Sequence, residues 1–154
     1  MMPKEGFSVL FVCTGNICRS PTAEGVLREL ARREGLRLSV ESRGTHDYHV
    51  GEPPDERALR HAKRRGYDLS AQRARRVSFS DFEQFDLILA MDRGHLHILR
   101  GLCPPQHHGK LGLLLAERDV PDPYYGGPEI FEQVLDLVEA ACRDLLVSLR
   151  RVTS

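Results

Sequence analysis

Apolar positions along this 154-residue chain gather in short runs separated by amphipathic stretches of helical length. The first run, Phe7, Val9, Leu10, Phe11 and Val12, reads as a strand ending abruptly at Cys13. Ala23, Val26, Leu27, Leu30 and Ala31 recur at helical spacing and predict a helix over 21–34, closed by Gly35. Leu36, Leu38 and Val40 alternate with polar residues, which predicts a second strand over 36–41. Residues 42–54, punctuated by Gly44, Gly51, Pro53 and Pro54, read as a loop; 54–65 as an arginine-rich helix ended by Gly66; and 69–77 as mostly loop. Ser80-Asp81-Phe82-Glu83 has the form of a capping box and predicts a short helix. Residues 87–91 form the continuous apolar run of a central strand, with Asp92 at its carboxyl end. A helix over 95–100, stopped before Pro104-Pro105, and a fourth strand over 111–115 follow. The longest helix is predicted over 129–150, burying Ile130, Phe131, Val134, Leu137, Val138, Ala141, Leu145, Leu146 and Leu149.

Strands alternating with helices imply βαβ units: an α/β fold with a four-stranded parallel sheet, doubly wound, covered by helices on both faces in three layers. Ligands of such sheets bind beyond the carboxyl ends of the strands, where Cys13 and Asp92 both fall.

The length predicts one domain with a proper core. Twenty-two basic residues balance 22 acidic ones, which argues against a nucleic-acid or membrane-surface protein; the sequence leaves the oligomeric state open, with a monomer as the default. The N-terminal run is too short and too acidic for a signal peptide, and nothing approaches membrane-spanning length. Four unevenly spaced cysteines, Cys13, Cys18, Cys103 and Cys142, read as thiols of a reducing cytoplasm. Cys103 and Cys142 are expected to be core or surface thiols. His107-His108 near Cys103 lack a further ligand at metal-binding spacing and read as a solvated loop. The arginines of 57–65 and 73–76 read as a solvated helix face and loop.

Residues 7–23, FSVLFVCTGNICRSPTA, carry the chemistry. Ser20 suits a helix N-cap and Pro21 a first turn, so strand, tight loop and helix succeed one another with Cys13 and Arg19 bracketing the loop. Backbone N–H groups of such a loop and the helix N-terminus favour an anion, and a cysteine there is expected to work as a thiolate. Arg19 offers a planar fork for two phosphoryl oxygens. Ser20 is placed to donate to the sulfur, and Asn16 either pins the loop through its amide or occupies a position with φ > 0. Cys-x5-Arg alone is weak; the strand before it and the helix after it give it weight.

CTGNICRSPTAEG resembles the signature loop of the low-molecular-weight protein tyrosine phosphatases, and Asp122-Pro123-Tyr124-Tyr125-Gly126-Gly127 resembles their general-acid loop. Residues 42–45, 49–55 and 86–92 match as well, in the family's order. The resemblance implies Cys13 as nucleophile, Arg19 as phosphate clamp and Asp122 as general acid, assisted by Ser20. Residues Thr14, Gly15, Asn16, Ile17, Cys18 and Arg19 would bind phosphate or a similar oxyanion, with no metal or other cofactor. Tyr124 and Tyr125 would wall the substrate slot opposite Tyr48, and Ile17 would belong to the slot as well. Ile17 and the tyrosine pair favour tyrosine-phosphorylated proteins; some relatives acting on phosphoarginine carry threonine in place of Ile17 and lack that pair. Asn16, Ser42 and Gln72 would support the loop, Gln72 standing where many relatives have histidine, and Asp92 would either orient the loop or cap the next helix. Cys18 would either pack or pair with Cys13 on oxidation; the resemblance implies the redox role. Two other functions share features of this loop. A thioredoxin-linked arsenate reductase needs two further relay cysteines, and none lies between Cys18 and Cys103. A non-catalytic phosphotyrosine-binding module has no use for an acid at Asp122.

Overall fold

The computed structural model describes residues 6–116 and 118–153; the first five residues of the N-terminal run lie outside them. Four strands, β1 (Phe7–Cys13), β2 (Leu38–Gly44), β3 (Leu87–Ala90) and β4 (Leu111–Leu113), form one parallel sheet in the order β2-β1-β3-β4. Five α-helices accompany them: α1 (Arg19–Arg33), α2 (Glu56–Arg64), α3 (Phe79–Gln84), α4 (Arg93–Leu102) and α5 (Pro128–Thr153). A 3-10 turn over Pro105–Lys110 precedes β4.

Side-chain alternation along β1 divides the core. Val9, Phe11 and Cys13 belong to the cluster formed with α1, α2 and α5, whereas Leu10 and Val12 pack with Phe82 of α3 and Leu96 and Leu99 of α4. Each fully buried aliphatic or aromatic side chain in these layers contributes roughly 1.5–3 kcal/mol relative to exposure. The chain leaves β1 toward β2 on one side and reaches β3 on the other, so the sheet switches direction at the carboxyl end of β1. No helix among the described residues is long and apolar enough to cross a membrane.

Several boundaries differ from the sequence pattern, for identifiable reasons. β2 runs on to Gly44: Ser42, Arg43 and Gly44 pair with Phe11, Val12 and Cys13. The polar residues that resemble a loop are buried there with partners; Arg43 sits 2.9 Å from Glu41, 3.3 Å from Asp81 and over the Phe85 ring. Helix α3 is capped two residues earlier than expected, at Ser78, whose N–H donates to Asp81 at 2.9 Å. In α5, Leu135 and Cys142 are buried, while Leu137 and Ala141 are only partly so. All four cysteines are free thiols and all are buried. Within the 57–65 helix face, Arg60, Lys63 and Arg64 are solvated, but Arg65 is not free: it meets Glu132 at 2.7 Å and Asp136 at 3.0 Å, binding α2 to α5.

Gly44 closes β2 where β1 turns into its loop. A Cβ there would lie 2.7 Å from the Thr14 carbonyl oxygen and 3.1 Å from that of His46, both rigid backbone atoms. Gly44→Ala is therefore expected to lower unfolding free energy by about 1–3 kcal/mol in urea denaturation. Gly101→Ala, in α4 with open space around it, should leave stability unchanged or raise it by up to about 1 kcal/mol.

Candidate active site

The loop between β1 and α1 is held from behind by its carbonyls. Cys13 O accepts from Thr45 N–H at 2.8 Å, Thr14 O from His46 N–H at 3.1 Å, Ile17 O from Asp55 N–H at 2.8 Å and Cys18 O from Thr22 N–H at 3.2 Å. Across a planar trans peptide the next N–H points opposite to the carbonyl, and there are no cis bonds. The N–H groups of Thr14, Gly15, Cys18 and Arg19 are thus turned away from the groups that anchor the loop. Among the described residues, no backbone N–H of 14–19 donates to another protein acceptor.

Side chains fix the same loop in one direction of donation. Asn16, the one described non-glycine residue at positive φ (59°), accepts from Arg75 N–H at 2.9 Å through Oδ1. That sets its amide, whose Nδ2 donates to Ser42 Oγ and to Ser20 Oγ, both at 2.9 Å. Both readings of Asn16 therefore hold at once. Ser42 Oγ donates onward to Glu24 Oε1 at 2.7 Å. Ser20 Oγ, already an acceptor, lies 2.9 Å from Cys13 Sγ and 3.5 Å from Arg43 O. Ser20 is not the N-cap, which is Cys18; its hydroxyl serves the sulfur instead of the helix end. Gln72 stands outside this chain of bonds: its Nε2 donates to Pro21 O at 3.0 Å. Glu24 closes the network, and burial pushes its carboxyl above the ordinary range against the bonds from Ser42 and Arg28.

Arg19 is buried, and two acceptors aim its Nη1. Nη1 donates to Asp92 Oδ2 and to Val120 O, both at 3.0 Å, and Nη2 stands 3.7 Å from Asp122 Oδ2. Asp92 bonds Arg19 through Oδ2, while its Oδ1 accepts the N–H of His95 at 2.8 Å and caps α4. Burial opposes the Asp92 carboxylate, but these bonds outweigh it and hold its pKa below the usual range.

Every residue expected in the phosphate loop except Asn16, together with Tyr48, Asp122, Tyr124 and Tyr125, lines a single cavity of about 270 Å³ with Cys13. Tyr48 stacks on His46 at 4.9 Å, and Tyr124 meets Tyr125 edge-on at 4.9 Å. Asp122, with about half its side chain exposed, accepts from Tyr124 N–H at 3.1 Å. Cys18 shares the cavity, and burial pushes its thiol pKa strongly upward. A wider groove of about 570 Å³, bordered by Glu24, Arg28 and Gln72, contains no cysteine.

Composition and spacing give no hint of three contributors. His49 lines the cavity and presses against Gly15, where a Cβ would come within 2.9 Å of its ring. Arg57 reaches the segment after Asp122. His95 Nε2 lies 2.7 Å from Thr14 Oγ1 and 3.5 Å from Arg19 Nη2. A guanidinium only donates, so Nε2 is the acceptor in its contact with Arg19; Nδ1 stands 3.1 Å from Asp92 Oδ1 without making a hydrogen bond to it. Burial drives the His95 pKa down to about 4, against the pull of Asp92.

The unfolded chain, with histidine near its ordinary 6.5, binds a proton that the folded state refuses. The contribution of His95 to stability is thus full above about pH 6.5 and falls toward pH 4, by at most about 1.4 kcal/mol per pH unit. Urea denaturation of His95→Gln should show a shallower loss of stability across that window than the native protein; parallel losses would contradict the assignment.

The family model described as low molecular weight phosphotyrosine protein phosphatase matches residues 8–154. A Streptomyces coelicolor low molecular weight protein-tyrosine-phosphatase is 44% identical over 155 residues, covering 94% of each chain. The structure of an Entamoeba histolytica protein tyrosine phosphatase, with Hepes in its active site, superposes with a TM-score of 0.92 at 38% identity, covering 97% of this chain and 100% of that one. Vibrio vulnificus Wzb in complex with benzylphosphonate gives 0.85 at 32% identity, covering 93% and 99%. By sequence, fold and the arrangement around Cys13, the chain belongs to the low molecular weight phosphotyrosine protein phosphatase family.

Proposed function

We propose that this chain hydrolyses protein phosphotyrosine through a phosphocysteine on Cys13. The observation that carries this reading is the meeting of a sulfur, a buried guanidinium and a carboxyl in one cavity, above a loop whose amides have no acceptor among the described residues. The Cys13 thiolate attacks phosphorus, and the bond from phosphorus to the phenolic oxygen breaks. Asp122 gives its proton to the departing phenolate. Water then attacks phosphorus, passing a proton back to Asp122, and the P–S bond breaks. Ser20 donates to the sulfur as its negative charge returns, and Asn16 holds Ser20 in that role. Arg19 and the amides of 14–19 meet the charge on the equatorial oxygens throughout, so the step calls for no metal.

Tyr48, Tyr124 and Tyr125 make the cavity a slot for a ring. A phenyl ester spans such walls, whereas phosphoserine is too short to bring its phosphate to Cys13. The benzylphosphonate held by the Vibrio vulnificus protein has the same combination of ring and tetrahedral phosphorus. Cys18, in the same cavity, is the thiol available to condense with a peroxide-oxidised Cys13 sulfenic acid, releasing water and forming a disulfide.

Turnover starts with Asp122 protonated and Cys13 ionised, so kcat/KM is expected to be bell-shaped in pH, with its maximum on the acid side of neutrality. Phosphotyrosine peptides should be hydrolysed, phosphoserine and phosphoarginine peptides should not, and Cys13→Ser should abolish turnover. A flat profile between acidic and neutral pH, or residual turnover in Cys13→Ser, would contradict the mechanism.

A further inference from the structure

Asp122 lies between β4 and α5, where none of the described residues is in a helix or strand, yet its flanks are fixed on both sides. Two residues before it, Val120 donates its N–H to Met91 O at 2.8 Å and accepts from Arg19 at 3.0 Å. Two residues after it, Tyr124 O accepts from Arg57 Nη2 at 2.8 Å, and the Gly126 carbonyl stands 3.4 Å from Arg57 Nη1. The guanidinium also lies over the rings of Phe131 (4.7 Å) and Tyr124 (5.8 Å).

Arg57 is held in turn by Asp55. The Asp55 carboxylate accepts from Arg57 Nε and Nη2, each at 3.1 Å, and from the Arg57 backbone N–H at 2.8 Å. The backbone N–H of Asp55 is the donor that fixes Ile17 O in the phosphate loop. One short path, from Ile17 through Asp55 and Arg57 to Tyr124, therefore joins the loop that holds phosphate to the segment that carries Asp122. Tyr124 N–H is the donor to the Asp122 carboxylate, so the residue Arg57 grips is also the one that orients the acid. This corrects the sequence reading of Arg57 as part of a solvated helix face.

We propose that Arg57, set by Asp55, is a positioning residue that holds the Asp122 carboxyl over the phosphate loop for proton transfer to the leaving group. This rests on the reading of Asp122 as the general acid. Arginine suits the task because its fork serves a carboxylate and two carbonyls at once; lysine, a compact point charge, cannot hold all three.

The test compares phenyl phosphate, whose leaving group needs a proton, with 2,4-dinitrophenyl phosphate, whose leaving group does not. Arg57→Ala should lower kcat/KM, which reports the step that breaks the bond to the leaving group, by about 10–100-fold on phenyl phosphate, as expected when an acid is displaced by an ångström or so, and by less than about 3-fold on the dinitrophenyl ester. Arg57→Lys, which keeps a charge and one carbonyl contact, should fall between native and Arg57→Ala on phenyl phosphate. Adding Arg57→Ala to Asp122→Asn should cost little beyond Asp122→Asn alone. Equal losses on both esters, no loss on either, or fully additive effects would overturn the proposal. If Asp122→Asn separates the two esters and Arg57→Ala does not, the acid reading stands and the positioning role falls. If neither variant separates them, both fall.

Discussion

The structure depends on where the carbonyls of one tight loop are sent. Thr45, His46 and Asp55 donate backbone N–H groups to Cys13, Thr14 and Ile17, and peptide planarity then decides the direction of the amides that follow. This explains why β2 continues past its apolar run. Its last residues pair with the end of β1, which brings Thr45 and His46 alongside the loop, and Gly44 leaves the room for the Thr14 carbonyl that a side chain would occupy. A strand extension that looks polar and irregular in sequence is what sets the donors.

Charge is organised around the same loop in two ways. Glu24, Ser42, Asn16, Ser20 and Cys13 form a line of bonds, in which the Cys13 sulfur at 2.9 Å is nearer to the Ser20 hydroxyl than its other acceptor, Arg43 O at 3.5 Å. Arg19 is buried between Asp92 and Val120. Burying a cation is costly unless it is paired and hydrogen-bonded, and these acceptors stabilise it while His95, kept neutral, adds no second positive charge to the cluster.

Local signals made the framework legible. β1, α1 and the central run of β3 stand out because alternation, helical spacing and continuous apolar character each bury the expected face. Residues 13–20 stand out through the strand before Cys13 and the helix after Arg19, and residues 122–125 only through their resemblance to the family's general-acid loop. What was not legible depends on contacts between distant segments. Arg57 looks like any arginine on a polar helix until the fold brings Tyr124 O within reach. Glu24 lies inside an amphipathic helix, and only the extension of β2 sets Ser42 against it. His95 sits in a helix and gains its character from burial next to Arg19 and Asp92. Gln72 bonds Pro21 O, because a matching position fixes a place in the chain and not the partner of an amide.

The central claim is that the loop's backbone amides, set by their carbonyl tethers, are the anion site. Titrating the 15N-labelled protein with inorganic phosphate while following its amide NMR signals tests this most directly. The N–H signals of Thr14, Gly15, Cys18 and Arg19 are predicted to move downfield together, with one saturation curve and slowed solvent exchange. Shifts confined to the Arg19 guanidinium, with those four amides unmoved, would contradict the account.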